Sequence, residues 1–178
     1  MPPRSMIDDF LGEFRLYKQN AEKAIAQVDD AALARVLAPD TNSITVLVRH
    51  LAGNLRSRFT QFLSTDGEKP WRARDREFEP WSGTRAELLA DWDAAWFTVF
   101  AEVGALEDAD LSRTVVIRGK SLTVHAALAR SVAHVATHVG QIVLLARVLA
   151  TEDWTSLSIP RGGSSSYNQD PALEQRPR

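Results

Sequence analysis

Four stretches of the chain place apolar residues three and four apart, the spacing of a helix with one buried face. In the first, Ile7, Phe10, Leu11, Phe14, Tyr17, Ala21, Ala24, Ile25 and Val28 form the stripe, and Pro39-Asp40 marks its break. The second runs from about Ser43 to Leu63, with Ser43 or Asn42 placed to cap it and Ile44, Leu47, Leu51 and Leu55 on its apolar face. The third opens on Thr84-Arg-Ala-Glu87, the Thr-x-x-Glu spacing of a capping box, and continues through Leu88, Trp92, Ala95, Trp96, Val99, Val103 and Leu106. The fourth, from about Thr123 to Ala150, is apolar on nearly every side.

The segments between helices read differently. Nine of the fourteen residues from Asp66 to Glu79 are charged, with mixed signs, so this stretch predicts a solvated crossover. Within it, Trp71, Arg72, Arg74 and Arg76 are expected in a loop with Trp71 tucked beneath, or as a lid over a site. TVVIRGKSLTV, with β-branched residues around Arg118-Gly119, predicts a short hairpin or extended loop before the fourth helix. After Ala150 the chain is polar and rich in Gly, Ser and Pro. The expected fold is all-α: a four-helix bundle over residues 5–150, followed by a polar C-terminal tail, 151–178, packed on the bundle or partly disordered. The crossover is long enough to run the length of the bundle, so the second and third helices are expected to be parallel.

Composition narrows the function. The chain has 178 residues, 44% of them apolar, as a globular domain requires. Its 21 basic and 23 acidic residues leave a charge of −2, no footprint for nucleic acid. Cysteine is absent, which excludes disulfides, thiolate metal sites and cysteine nucleophiles. The N-terminal residues lack the apolar core of a signal peptide, and no apolar run is long enough to cross a bilayer. A cytoplasmic protein without a membrane or nucleic-acid partner is expected.

The fourth helix carries a polar stripe. At 100° per residue, with His134 at zero, His138 lies at about +40°, Gln141 at about −20° and Arg130 at about −40°. His125 falls about 180° away and reads as a surface residue. In the second helix, Ser43, His50, Asn54, Ser57 and Gln61 form a comparable polar line. If the two lines meet, His50, His134 and His138 offer three nitrogens to a divalent ion such as Zn²⁺ or Ni²⁺ with coordination positions left open. The alternative is a set of core histidines bonded to carbonyls. Asn54 and Gln141 stand near the histidines as further donors or as ordinary helix polarity. Arg130 suits either a structural ion pair or a substrate carboxylate. The zincin pattern is missing, because no Glu follows His134.

These residues resemble a family. HVATHVGQI is similar to the His-x-x-x-His-x-Gly-Gln-Ile signature of the DinB-like superfamily, and RHLAGN around His50 resembles its first metal-ligand segment. RSRFTQFLSTDGEKPWRARDREF and SIPRGGSSSYN resemble the crossover and tail of an uncharacterised bacterial branch. The likeness covers roughly residues 6 to 168. It implies a DinB/YfiT-like four-helix bundle, commonly dimeric, with His50, His134 and His138 as metal ligands. Related branches include S-transferases and isomerases that use low-molecular-weight thiols. The expected function is therefore a metal-dependent enzyme, a thiol S-transferase or a hydrolase using metal-bound water, acting on a small molecule as a homodimer. The alternative is a non-catalytic, stress-related metal-binding dimer. A dimer interface is expected on the fourth helix, with Trp92 and Trp96 of the third contributing.

Overall fold

Each long helix begins at a side-chain cap that the sequence displays. A computed structural model describes residues 5–151 and 154–171. Among these, α1 spans Met6–Ile25, α2 Asp30–Ala34, α3 Ile44–Phe59, α4 Arg85–Gly104, α5 Val124–Leu149 and α6 Ser164–Tyr167. Ser5, Ser43 and Thr123 each accept a backbone N–H at the start of α1, α3 and α5. Thr84 and Glu87 close the capping box of α4. The protein is mostly helical, as expected, and the four long helices share one apolar core.

Side-chain contacts give the directions. Arg56 pairs with Asp91, and Glu102 accepts the backbone N–H groups of Gln61 (3.0 Å) and Phe62 (3.1 Å), so α3 and α4 run the same way. Arg85 donates to the carbonyls of Ile25 and Val28, while Arg15 lies over Phe100, so α4 opposes α1. Phe10 meets His125 and Gln27 bonds Thr155, so α5 follows α1. His50 of α3 faces His134 and His138 of α5, and Arg58 and Arg130 line one cavity, which makes α3 and α5 antiparallel.

Strands β1 (Thr114–Ile117) and β2 (Lys120–Thr123) pair antiparallel, with Ile117 opposite Lys120. Arg118 and Gly119 make the two-residue turn with φ of 52° and 69°, the left-handed conformation that such hairpins need. The Asp66 carboxylate accepts both of their N–H groups at 2.8 Å and so ties the turn to the start of the crossover.

Several expectations need correction. The second predicted helix ends at Phe59, not Leu63, because the Thr60 hydroxyl bonds the Arg56 carbonyl and Gln61 turns left-handed at φ 50°. Gln61 therefore leaves the polar line. The crossover is only partly solvated: Lys69 and Glu77 are buried, and the Arg72 side chain is 2% exposed. Trp71, expected beneath the loop, is 54% exposed. Trp92 and Trp96 are fully buried in the core and are not available to a surface. One helix, α5, is after all long and apolar enough to cross a membrane by length and composition; here one face packs on α1 and α3, while most of its residues stay exposed or half-buried. Of the tail, 151–178, expected to pack on the bundle or to be partly disordered, Trp154 and Leu157 pack on the core, and residues 152–153 and 172–178 fall outside the described residues.

Candidate metal centre

The site forms where α3 and α5 cross. His50 is buried, and its Nε2 lies 3.3 Å from Nε2 of His134. One nitrogen from each of His50, His134 and His138 falls within 4.8 Å of the others. An ion about 2.0–2.1 Å from two imidazole nitrogens, at a tetrahedral angle, would set them about 3.3–3.4 Å apart. The His50–His134 spacing matches that value. The three residues could therefore hold a metal ion.

Each flanking histidine has its other ring nitrogen engaged. His50 Nδ1–H donates to Glu77 Oε2 at 2.9 Å, and because a carboxylate only accepts, this bond leaves the Nε2 lone pair free toward the cluster. His138 Nδ1–H donates to Gln141 Oε1 at 2.7 Å, with the same consequence. Burial, with neighbouring His138 and His50 and the guanidinium groups of Arg58 and Arg72, pushes the His134 pKa down to about 4. Burial also lowers that of His138, against the opposing bond to Gln141. Both rings are thus neutral at pH 7, the form that binds metal.

Glu77 is the residue that the sequence pattern missed. Its carboxylate also takes Nε and Nη2 of Arg72, at 2.8 and 2.9 Å. Burial alone would raise its pKa, but the bonds from His50 and Arg72 outweigh that and hold it below the ordinary glutamate value. Glu77 belongs to a 3-10 turn, Arg74–Phe78, which Arg49 fastens to α3 by donating to the carbonyls of Arg76 (2.5 Å) and Glu79 (2.8 Å). Gly53 makes the approach possible: a Cβ there would lie 2.2 Å from Glu77 Oε1. The glycine of RHLAGN, inside a predicted helix, leaves room for such an approach, whereas Gly140 in α5 has nothing within 4 Å of its place for a Cβ.

The other predicted residues divide. Gln141 touches His138 as described, and Asn54 and Arg130 line the cavity of ≈ 410 Å³ into which the histidines open. Arg130 makes no ion pair with any described residue, which removes the structural-pair reading among them. Of the expected lid, only Arg72 and Arg74 reach the cavity. His125 is exposed, edge-on to Phe10 at 5.7 Å, and takes no part in the cluster.

The family model described as "Protein of unknown function (DUF1572)" matches residues 3–163. The chain belongs to the DUF1572 family. That match spans α1 through the start of the tail and includes every residue of the histidine cluster. No curated protein and no solved structure matches the chain.

Proposed function

We propose that this DUF1572 protein is a metal-dependent enzyme of the DinB-like superfamily. In this reading its four long helices form a DinB-like bundle, and His50, His134 and His138 hold one divalent ion, zinc or nickel. The observation that carries it is the 3.3 Å separation of the His50 and His134 nitrogens, with a buried carboxylate behind His50. An ion bound by three neutral imidazoles keeps its full charge and would acidify a water or a low-molecular-weight thiol placed against it. The residues do the rest. Glu77 and Gln141 orient the rings, Asn54 offers an amide to whatever enters the cavity, and Phe78, 5.1 Å from His50 between ring centres, covers one side. With no cysteine in the chain, a thiol nucleophile has to come from a second substrate.

The test is to present metal-loaded protein with small electrophiles, with and without low-molecular-weight thiols. Consumption that needs both thiol and metal, and is lost in His134→Ala, is the expected result. Turnover without thiol would favour the hydrolase. Absence of turnover under every condition would favour a non-catalytic metal-binding protein.

The same proposal includes a homodimer. Ala129, Ala133, Thr137 and Gly140 lie exposed along α5, followed by Leu144 (64% exposed) and Val148 (59%). A second copy packed on this face would cover them. Light scattering on dilute protein is expected to give twice the 19.8 kDa chain mass, and Leu144→Lys is expected to halve it. A 19.8 kDa particle for the unaltered chain would contradict this part.

A further inference from the structure

Among the described residues, the cavity beside the histidines is lined by five arginines, Arg58, Arg72, Arg74, Arg118 and Arg130, and by no acidic residue. Three of the five are engaged. Arg72 is held by Glu77, Arg118 donates to Glu68 at 3.0 Å, and Arg74 lies over the Phe78 ring at 4.9 Å. Arg58 and Arg130 have no ion pair with any described residue. Arg58 Nη1 is buried and has no hydrogen-bond partner among the described residues. A charged donor in that state is destabilising unless something arrives to accept from it.

We propose that the cavity selects a small molecule bearing an oxyanion group, a carboxylate or a phosphate, which Arg58 and Arg130 hold while its other end lies at the histidines. Two features of the fold support this. First, Arg58 follows His50 by eight residues on α3, and Arg130 precedes His134 by four on α5. Because the helices are antiparallel, both arginines stand on the same side of the histidine cluster, about 12 and 6 Å along their helices. Second, Arg58 is built in place rather than trailing into solvent. Gly67 leaves room for it, since a Cβ there would meet Arg58 Nη1 and Cδ at 3.0 Å and Ile117 Cγ1 at 3.3 Å. Ser57, the neighbour of Arg58, fixes that loop by donating to the Gly67 carbonyl and accepting from Lys69 N–H, both at 3.0 Å. Burial lowers the Arg58 pKa; Glu68, the strongest of the nearby charges, opposes this, while Arg118, Arg72 and Arg130 add to it, so several guanidinium groups crowd one region. A planar guanidinium suits two-point recognition of carboxylate or phosphate. Ile117 and Phe78 supply apolar surface for the rest of the molecule.

The inference rests on the proposed function for what happens at the histidines, but the anion site can stand without it. The experiment is calorimetric titration of the full chain with inorganic phosphate, succinate and neutral succinamide at constant ionic strength, on metal-loaded and EDTA-treated protein. Phosphate or succinate is expected to bind saturably to both forms, and succinamide not to bind. Arg58→Gln and Arg130→Gln should each weaken anion binding about 10- to 100-fold and leave metal content unchanged. His134→Ala should lose metal and keep the anion. Unchanged anion affinity in both arginine variants, or no anion binding to the unaltered chain, would overturn the proposal. If the unaltered chain binds anion but carries no metal, the metal reading falls and the anion site remains. Ligand-free Arg58→Gln should also melt at a higher temperature, because an unpaired cation is removed. A lower melting temperature with unchanged anion affinity would assign Arg58 to the fold and overturn its role here.

Discussion

Glu77→Ala is expected to weaken metal binding about 10- to 100-fold and to destabilise the fold by about 3–5 kcal/mol. The two effects have separate causes. The affinity falls because His50 loses the carboxylate that fixes its tautomer and ring orientation. The stability falls because the Arg72 side chain, 2% exposed, is left as a buried charge without its partner. Pairing Glu77→Ala with Arg72→Met separates them. The double variant is expected to recover much of the stability in denaturant unfolding with EDTA, and to keep the weakened affinity in metal-buffered titration. Recovery of both would make Glu77 a structural residue only. Gly53→Ala offers an independent approach to the same carboxylate. In an ordinary helix interior that change stabilises by about 1 kcal/mol. Here the added Cβ would displace Glu77, so both stability and metal affinity are expected to fall.

Substituting any one of His50, His134 or His138 by alanine is expected to remove the ion-dependent part of the stability. The core of apolar residues does not depend on the ion, so the variants should fold. With metal at about a hundred times its dissociation constant, the unaltered chain gains about 2.7 kcal/mol from binding, and the variants should gain none. Added metal should therefore raise the melting temperature of the unaltered chain and of His125→Ala, and leave the three other variants in place. A metal-induced rise of normal size in His50→Ala would remove the buried histidine from the ligand set.

Much of the frame was legible because caps, stripes and turn residues act locally. Ser43, Thr84 and Thr123 set the starts of α3, α4 and α5, and Arg118-Gly119 set the hairpin. The histidines were legible for a related reason: a four-residue step keeps His134 and His138 on one face, and a nine-residue step turns His125 away. What stayed hidden depends on contacts across the fold. Glu77 lies 27 residues from His50 in a stretch whose mixed charges read as solvated, and Gly53, which leaves room for it, does not by itself mark a close approach. Trp92 and Trp96 read equally well as interface or core, since the same stripe serves both, and the packing of α4 against α1 and α3 decided for the core. Arg58 carried no signal of its own in the sequence, because the hairpin and crossover that close over it come from distant parts of the chain.

The most direct test of the account is the metal content, by mass spectrometry, of protein purified without nickel resin, compared across the unaltered chain and the alanine variants of all four histidines. About one divalent ion per chain is expected in the unaltered protein and in His125→Ala, and loss of that ion in His50→Ala, His134→Ala and His138→Ala. Metal-free protein that stays metal-free when zinc or nickel is supplied would contradict it, as would an ion retained in His50→Ala and lost in His125→Ala.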